Sequence, residues 1–234
     1  MPRVFFALCL LVLLGVSASA QQRVAPDAFF TPGTLGSGSR ALVNLVKRPR
    51  LKDGQRVEQS CQALISSNHR LAKLQCRKAT DENRKLHVAL HSAARFANFR
   101  SAYILGDPVT IWIPFRVVAS GIDGKTQLEL FLGPENSDVV WPQMMFQLFD
   151  SQCEPDKSVA ARVAMAADGT ASIAGLQEEP LSEACIASMS AYFETLQFVP
   201  ARQDGQWIGT DVDVMLYNPT GRARKDSWEA YMVL

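Results

Sequence analysis

The sequence predicts an α+β protein built from two similar units, each composed of a β-hairpin, a helix and a further strand. Three observations favour this class. Two stretches of the chain resemble each other at a constant shift of 99 residues, an Asp-Gly pair separates two strand-like runs, and apolar residues at helical spacing follow. A chain of 234 residues that is 47% hydrophobic and 20% charged has enough apolar material to bury a core, which excludes disorder and low-complexity classes.

The first twenty residues have the pattern of a secretory signal peptide. Arg3 precedes an apolar run at Val4–Val16, and Ala18-Ser19-Ala20 fits an A-x-A cleavage site. The alternative is an uncleaved anchor, but a bilayer span needs about twenty apolar residues. We therefore expect residues 1–20 to be removed and the mature protein to lie outside the cytoplasm.

The two halves of the mature chain differ strongly in charge. Residues 21–119 carry 16 Lys and Arg against 6 Asp and Glu, a net charge of +10. Residues 120–234 carry 7 against 17, a net charge of −10. Such halves either attract each other or leave the basic half facing an anionic surface, unless both are simply solvated faces.

Four cysteines remain after the signal peptide, since Cys9 lies within it. An even number in an exported chain indicates two disulfides, and four cysteines allow three pairings. We favour Cys61–Cys76 and Cys153–Cys185, because each closes a loop within one half. No CxxC spacing supports a metal site.

Composition divides the mature chain into four segments. Residues 21–55 are rich in Gly, Pro, Ser and basic residues, which predicts a flexible lead-in with a short strand at Ala41–Val46. Residues 56–119 form the first unit, 120–157 a connecting strand segment and 158–234 the second unit. Within the connection, Thr126–Leu132 alternates like a strand and Val139–Phe149 is apolar enough to be buried, whereas the tail Ser227–Leu234 could pack back.

The shift of 99 residues aligns the two units without a gap. Phe99 falls on Phe198 and Gly106 on Gly205. The longer segments that coincide are the helical stretches Asn83–Ala97 and Ser182–Leu196, the strand-like runs Val109–Val117 and Ile208–Leu216, and the turns at Asn68-His69 and Ala167-Asp168. Identities are few, so chance similarity is the alternative.

Each unit has its own local signals. In the second, Ala161–Ala167 and Thr170–Leu176 flank the Asp-Gly turn, and Ser182 is the expected N-cap of the helix. In the first, Cys61–Ser67 and Arg70–Cys76 form the predicted hairpin. In an antiparallel hairpin with this turn, two residues pair when their residue numbers add up to 137. The numbers of Cys61 and Cys76 do so, and these two residues would therefore face each other.

The second unit resembles the C-terminal domain of TonB, the periplasmic receptor-contacting part of an energy transducer. The resemblance covers about residues 159–217 and is carried by the segment Gln197–Ile208 with the preceding turn. The positions that match the family motif are Asp168, Gly169, Phe198, Pro200, Ala201 and Gly205. The first unit departs from the motif, with Ser101 in place of Pro and His69-Arg70 in place of Asp-Gly. The sequence also lacks three features of that family: the Tyr-Pro pair before the domain, a retained membrane helix and a Pro-rich arm.

The resemblance implies a non-catalytic periplasmic binding module. A small α+β unit whose last strand lies at a sheet edge can bind an extended peptide by strand addition. The candidate edge consists of Thr210, Asp211, Val212, Asp213, Val214, Met215, Leu216 and Tyr217. The partner would be a periplasmic peptide of an outer-membrane receptor or another envelope protein, unless the other repeat or the tail covers this edge.

A second hypothesis makes the protein an envelope scaffold that its basic first half holds to anionic surfaces. No pattern indicates catalysis, a cofactor or a nucleic-acid partner. His87 and His91 lie four apart on one helical face and could bind a metal with His69, but surface histidines are the preferred interpretation. Residues 119–126 (ASGIDGKT) fit a relaxed phosphate-loop pattern, although a strand follows where a helix is required, so a hairpin turn is expected.

Overall fold

The structure is a computed structural model that describes residues 29–134, 137–150, 152–153, 158–177, 181–217 and 227–233. The predicted signal peptide at residues 1–20 lies outside the described residues. The helices are α1 (Leu42–Leu45), α2 (Arg84–Ala94) and α3 (Glu183–Thr195), with a 3₁₀ turn at Gly38–Arg40. The strands are β1 (Phe30–Thr31), β2 (Arg56–Ile65), β3 (Leu71–Cys76), β4 (Ala102–Ile104), β5 (Asp107–Val109), β6 (Ile111–Ile122), β7 (Lys125–Phe131), β8 (Gln143–Met145), β9 (Phe149–Asp150), β10 (Val159–Met165), β11 (Ala171–Leu176), β12 (Phe198–Val199), β13 (Ala201–Gln203), β14 (Gln206–Ile208), β15 (Thr210–Tyr217) and β16 (Ser227–Met232).

The strands form two main antiparallel sheets and two small ones. The first main sheet has the order β12-β8-β6-β2-β3, with β7 also pairing with β6. The second has the order β11-β10-β15-β16-β9. The small sheets are β1-β4-β5 and β13-β14. A strand-rich fold with few helices agrees with the predicted α+β class.

The hairpin of the first half has the predicted register. Cys61 lies opposite Cys76 and Gln62 opposite Gln75, and a bulge shifts the pairing by one residue only at Ile65. Because paired residues point to the same face of a sheet, the two cysteines meet and form a disulfide. The second disulfide joins Cys153 to Cys185 in the first turn of α3. Both predicted pairings are confirmed.

The strand pairing of the first half recurs in the second. Cys61 pairs with both Cys76 and Phe115, and Ala161 pairs with both Leu176 and Val214. The hairpin therefore recurs after 100 residues, while the helix start, the short hairpin and the long last strand recur after 99. The gapless alignment is therefore wrong by one residue in the hairpin. It paired Asn68-His69 with Ala167-Asp168, whereas the structural counterpart of Asn68-His69 is Asp168-Gly169.

The prediction of a flexible lead-in is wrong for residues 29–55. Phe30, Leu35, Leu42 and Val46 are buried in the first core, and β1 pairs with β4. The predicted strand at Ala41–Val46 is instead the short helix α1. Contacts with distant parts of the chain, which local sequence does not encode, fix this segment.

The lead-in has a counterpart before the second unit. In the first half, Thr34 pairs with Arg100. Val199 lies 99 residues after Arg100 and pairs with Gln143, so the segment at Gln143 takes the place in the second half that the segment at Thr34 takes in the first. The Gln143 side chain then joins the two counterpart segments: its Oε1 accepts from the Gly33 amide N–H at 2.7 Å and its Nε2 donates to the Gly33 carbonyl oxygen at 3.0 Å. Gln143 is 2% exposed, so these are buried hydrogen bonds between halves.

Replacing Gln143 with Ala should lower the free energy of unfolding by about 3 kcal/mol, because two buried polar groups of Gly33 lose their partner. Urea unfolding followed by circular dichroism measures the change. Gln127→Ala, at an exposed position of β7, is the matched control and should change stability by less than about 0.5 kcal/mol. Equal effects of the two substitutions would show that the Gly33 contact does not join the halves.

Candidate functional site

The predicted binding edge is not a free edge. Strand β15 lies between β10 and β16, and Val214–Tyr217 pair with residues 229–232 of the tail. The Val233 N–H also donates to the Asp213 carbonyl oxygen at 2.7 Å. The prediction that Thr210–Tyr217 is open along its length is therefore wrong, because the chain's own tail occupies its second half.

The carboxylate of Asp213, a residue of the candidate edge, is already used within the sheet. Arg162 Nε donates to Asp213 Oδ1 at 3.0 Å, and Gln177 Nε2 donates to the same oxygen at 2.9 Å. The Asp213 carboxylate raises the pKa of Arg162 through this hydrogen bond and through its charge. Asp213 thus stabilises the neighbouring strand.

The residues of the family motif take structural positions. Gly169 has a φ of 84°, and its carbonyl oxygen accepts from the Phe198 N–H at 3.1 Å. Asp168 Oδ1 accepts from the Thr170 N–H and hydroxyl, which lowers the Asp168 pKa. Phe198, Pro200 and Ala201 are buried, and Gly205, with a φ of 80°, turns β13 into β14. These positions hold the hairpin against the segment that follows α3.

The two residues at which the first unit differs from that motif, His69 and Ser101, are hydrogen-bonded to each other. His69 stands where the second unit has Gly169, and its Nδ1 accepts from the Ser101 N–H at 3.1 Å. Proline lacks this N–H, so the counterpart residue Pro200 could not make the same bond. Ser101 Oγ also lies 3.0 Å from this nitrogen, but Ser101 is 1% exposed, so the pair has a structural role.

The predicted phosphate-loop pattern is a hairpin turn. Gly121 pairs with Thr126 and Ile122 with Lys125, while Asp123 and Gly124 turn the chain with φ values of 52° and 71°. The next residues form β7 instead of a helix. The expected hairpin is therefore present.

A basic groove that sequence reasoning did not locate runs beside α2. The groove has a volume of about 690 Å³. The residues that surround it are Lys47, Arg48, Pro49, Arg50, Arg84, Lys85, Val88, Ala89 and Ser92. All five cationic residues are exposed, and Val88 is 58% exposed. The groove thus combines a cationic rim with an apolar wall.

The cations at the start of α2 oppose the helix dipole. Arg84 and Lys85 occupy its first turn, where positive charge is unfavourable. The counterpart of Arg84 in α3 is Glu183, which favours that end of a helix. Asp81 forms a salt bridge with Arg84, and Asp81 and Glu82 place two negative charges just before the helix. The dipole of α2 by itself does not favour these two cations.

His87 and His91 lie on α2 with their ring centroids 4.7 Å apart. Burial, the charge of His87 and that of Arg95 lower the pKa of His91. The ligand atoms of both histidines and of Cys76 lie within 4.8 Å of one another. His69, which the sequence allowed as a third ligand, binds Ser101 instead.

No known family model, curated protein sequence or solved structure matches this chain. Among the described residues, no helix is both long and apolar enough to cross a membrane. Two disulfides are typical of a protein that matures in an oxidising compartment.

Replacing Met232 with Ala should lower the free energy of unfolding by about 3 kcal/mol, because Met232 is 3% exposed and packs in the second core. Val233→Ala is the neighbouring control, at a side chain that is 45% exposed, and should cost less than about 0.5 kcal/mol. Chemical denaturation of the two variants gives both values. Small and equal effects would mean that the tail does not cover β15.

Proposed function

We propose that this protein is an exported, non-catalytic binding module of the periplasm that docks on an anionic phospholipid surface through its basic groove. The observation that carries the proposal is the concentration of five exposed cationic side chains around an apolar wall. Lipid phosphates would contact the cations, and an acyl chain would lie along Val88 and Ala89. Clustered Lys and Arg residues next to apolar surface favour such anionic amphiphiles over small soluble anions.

Charge also supports an orientation on the surface. The groove belongs to the half with a net charge of +10, while the other half has a net charge of −10. An anionic surface would attract the first half and repel the second. The second half would then face away from the lipid, available to an envelope partner.

The experiment compares binding of the mature chain to vesicles of phosphatidylcholine alone and to vesicles that also contain phosphatidylglycerol. We expect binding only to the anionic vesicles, and loss of that binding as salt increases, because screening weakens exposed charge contacts. Sedimentation with the vesicles gives the bound fraction.

Arg48→Glu combined with Arg50→Glu should weaken vesicle binding by about tenfold or more, at about 1 kcal/mol for each Lys or Arg near the surface. Arg77→Glu combined with Lys78→Glu changes the net charge equally at exposed positions outside the groove. If both double variants lose binding equally, net charge and not the groove holds the protein. Inhibition by soluble glycerol phosphate at equal phosphate concentration would indicate a free anion as the ligand.

A second candidate function is strand addition, now at β11. This strand (Ala171–Leu176) is an outer strand of its sheet and has no charged residue or proline, two of the usual protections of an exposed edge; a third, a bulge, is present in its pairing with β10. The TonB-like interpretation of the second unit supports this mode of binding. An extended peptide should slow hydrogen exchange in β11, whereas the same peptide with a central proline should not. Equal effects of both peptides would rule out strand addition there.

A further inference from the structure

The disulfide of the first half lies beside the two helical histidines. The Cys76 sulfur and one ring nitrogen each of His87 and His91 fall within 4.8 Å of one another. Cys61 is bonded to that sulfur, so the hairpin places a second sulfur next to the first. One sulfur of the hairpin disulfide and two imidazoles one helical turn apart therefore lie together beside α2, and the second sulfur is bonded to the first.

His87 has a buried nitrogen that the fold does not use. Its Nδ1 is inaccessible to solvent and has no hydrogen-bond partner among the described residues. A buried polar atom without a partner costs about 1–3 kcal/mol. Surface histidines, our expectation from the sequence, would keep both ring nitrogens hydrated, so this ring has a different environment.

The second unit shows that the fold does not require these four side chains. In the hairpin, the residues 100 positions after Cys61 and Cys76 are Ala161 and Leu176. In the helix, the residues 99 positions after His87 and His91 are Ile186 and Ser190. This set has no sulfur or imidazole, yet the hairpin and α3 pack in the same order. The four donors are thus a property of the first unit alone.

We propose that Cys61, Cys76, His87 and His91 form a zinc site when their disulfide is reduced. Two thiolates and two imidazoles are a donor set of tetrahedral structural zinc sites, with Zn–S near 2.3 Å and Zn–N near 2.0 Å. Four-coordinate binding requires the histidine side chains to rotate toward both sulfurs once the disulfide is open. In the disulfide form the sulfurs are not thiolates, so the oxidised protein lacks half of the ligands.

The chemistry of the switch balances with a dithiol reductant. The dithiol gives two electrons and two protons to the Cys61–Cys76 disulfide, which becomes two thiols while the reductant becomes a disulfide. Zinc then binds both sulfurs as thiolates, and two protons are released. The two negative charges of the thiolates neutralise the two positive charges of the zinc ion. The loaded site then adds no positive charge beside the cations Arg77 and Arg95. A disulfide oxidant would take two electrons from the two thiolates and, with two protons, become a dithiol, which reforms the Cys61–Cys76 disulfide and releases the zinc.

The test measures zinc affinity of the full mature chain with a competing chromophoric chelator, before and after reduction by a phosphine, which does not compete for the metal. We expect one zinc ion per reduced chain and an affinity at least about tenfold lower for the oxidised chain. Cobalt in place of zinc should give the absorption bands of a tetrahedral thiolate site. Equal affinity in both redox states, or no zinc bound by the reduced chain, would overturn the proposal.

Variants identify the ligands. His87→Gln and His91→Gln should each weaken zinc binding to the reduced chain by about tenfold or more, whereas His69→Gln, outside the cluster, should not. The double variant Cys153→Ala with Cys185→Ala should retain the site and show that the second cysteine pair does not supply it. Retained affinity in both His87→Gln and His91→Gln would contradict the assignment.

Cysteine alkylation tests the zinc site even if reduction of the disulfides loosens the fold. Zinc should protect Cys61 and Cys76, but not Cys153 and Cys185, from iodoacetamide in the reduced chain, as read by peptide mass mapping. Uniform alkylation of all four cysteines in the presence of zinc would count against the site.

Discussion

The buried amide of Gln143 is the contact on which the arrangement of the two halves depends. It satisfies both the N–H and the carbonyl oxygen of Gly33, and Gly33 has no room for a side chain, since a Cβ would lie 2.8 Å from Ile113 Cδ1. Strand β8, which contains Gln143, also pairs with β6 of the first half and β12 of the second. One short segment thus connects the lead-in, the first sheet and the second unit. Loss of this amide would leave the N–H and the carbonyl oxygen of Gly33 buried without their partner.

The same interlocking explains why neither unit is complete by itself. Phe30 of the lead-in packs edge-on against Trp207 with ring centroids 5.7 Å apart, and Leu64 and Trp112 of the first half belong to the second core. Gln62 Nε2 donates to the Met232 carbonyl oxygen at 3.1 Å, so the tail is also held by the first sheet. The first half therefore contributes side chains to the core of the second.

Sequence reasoning succeeded where the determinants are local. The hairpin register, both disulfides and the Ser182 cap follow from alternation of period two, spacing and turn chemistry. It failed where distant segments decide: the lead-in at Ala41–Val46 is a helix packed on the first core, and the tail pairs with β15. The basic groove was missed because Lys47 and Arg84 are distant in sequence, although the surplus of positive charge in residues 21–119 was a signal of it.

The two units use one backbone for different chemistry, and this difference separates function from folding. At matched positions the second unit has Glu183, Gly169 and Ile186 where the first has Arg84, His69 and His87. Side chains that the fold requires should be similar in kind in both units, as the buried pair Phe99 and Phe198 is. Charges that oppose a helix dipole and imidazoles beside a disulfide occur in the first unit only, and neither is needed for the second to adopt the same pairing. Among these side chains His69 is bonded to Ser101, whereas Arg84 and His87 both lie on α2, where the two proposals place a ligand.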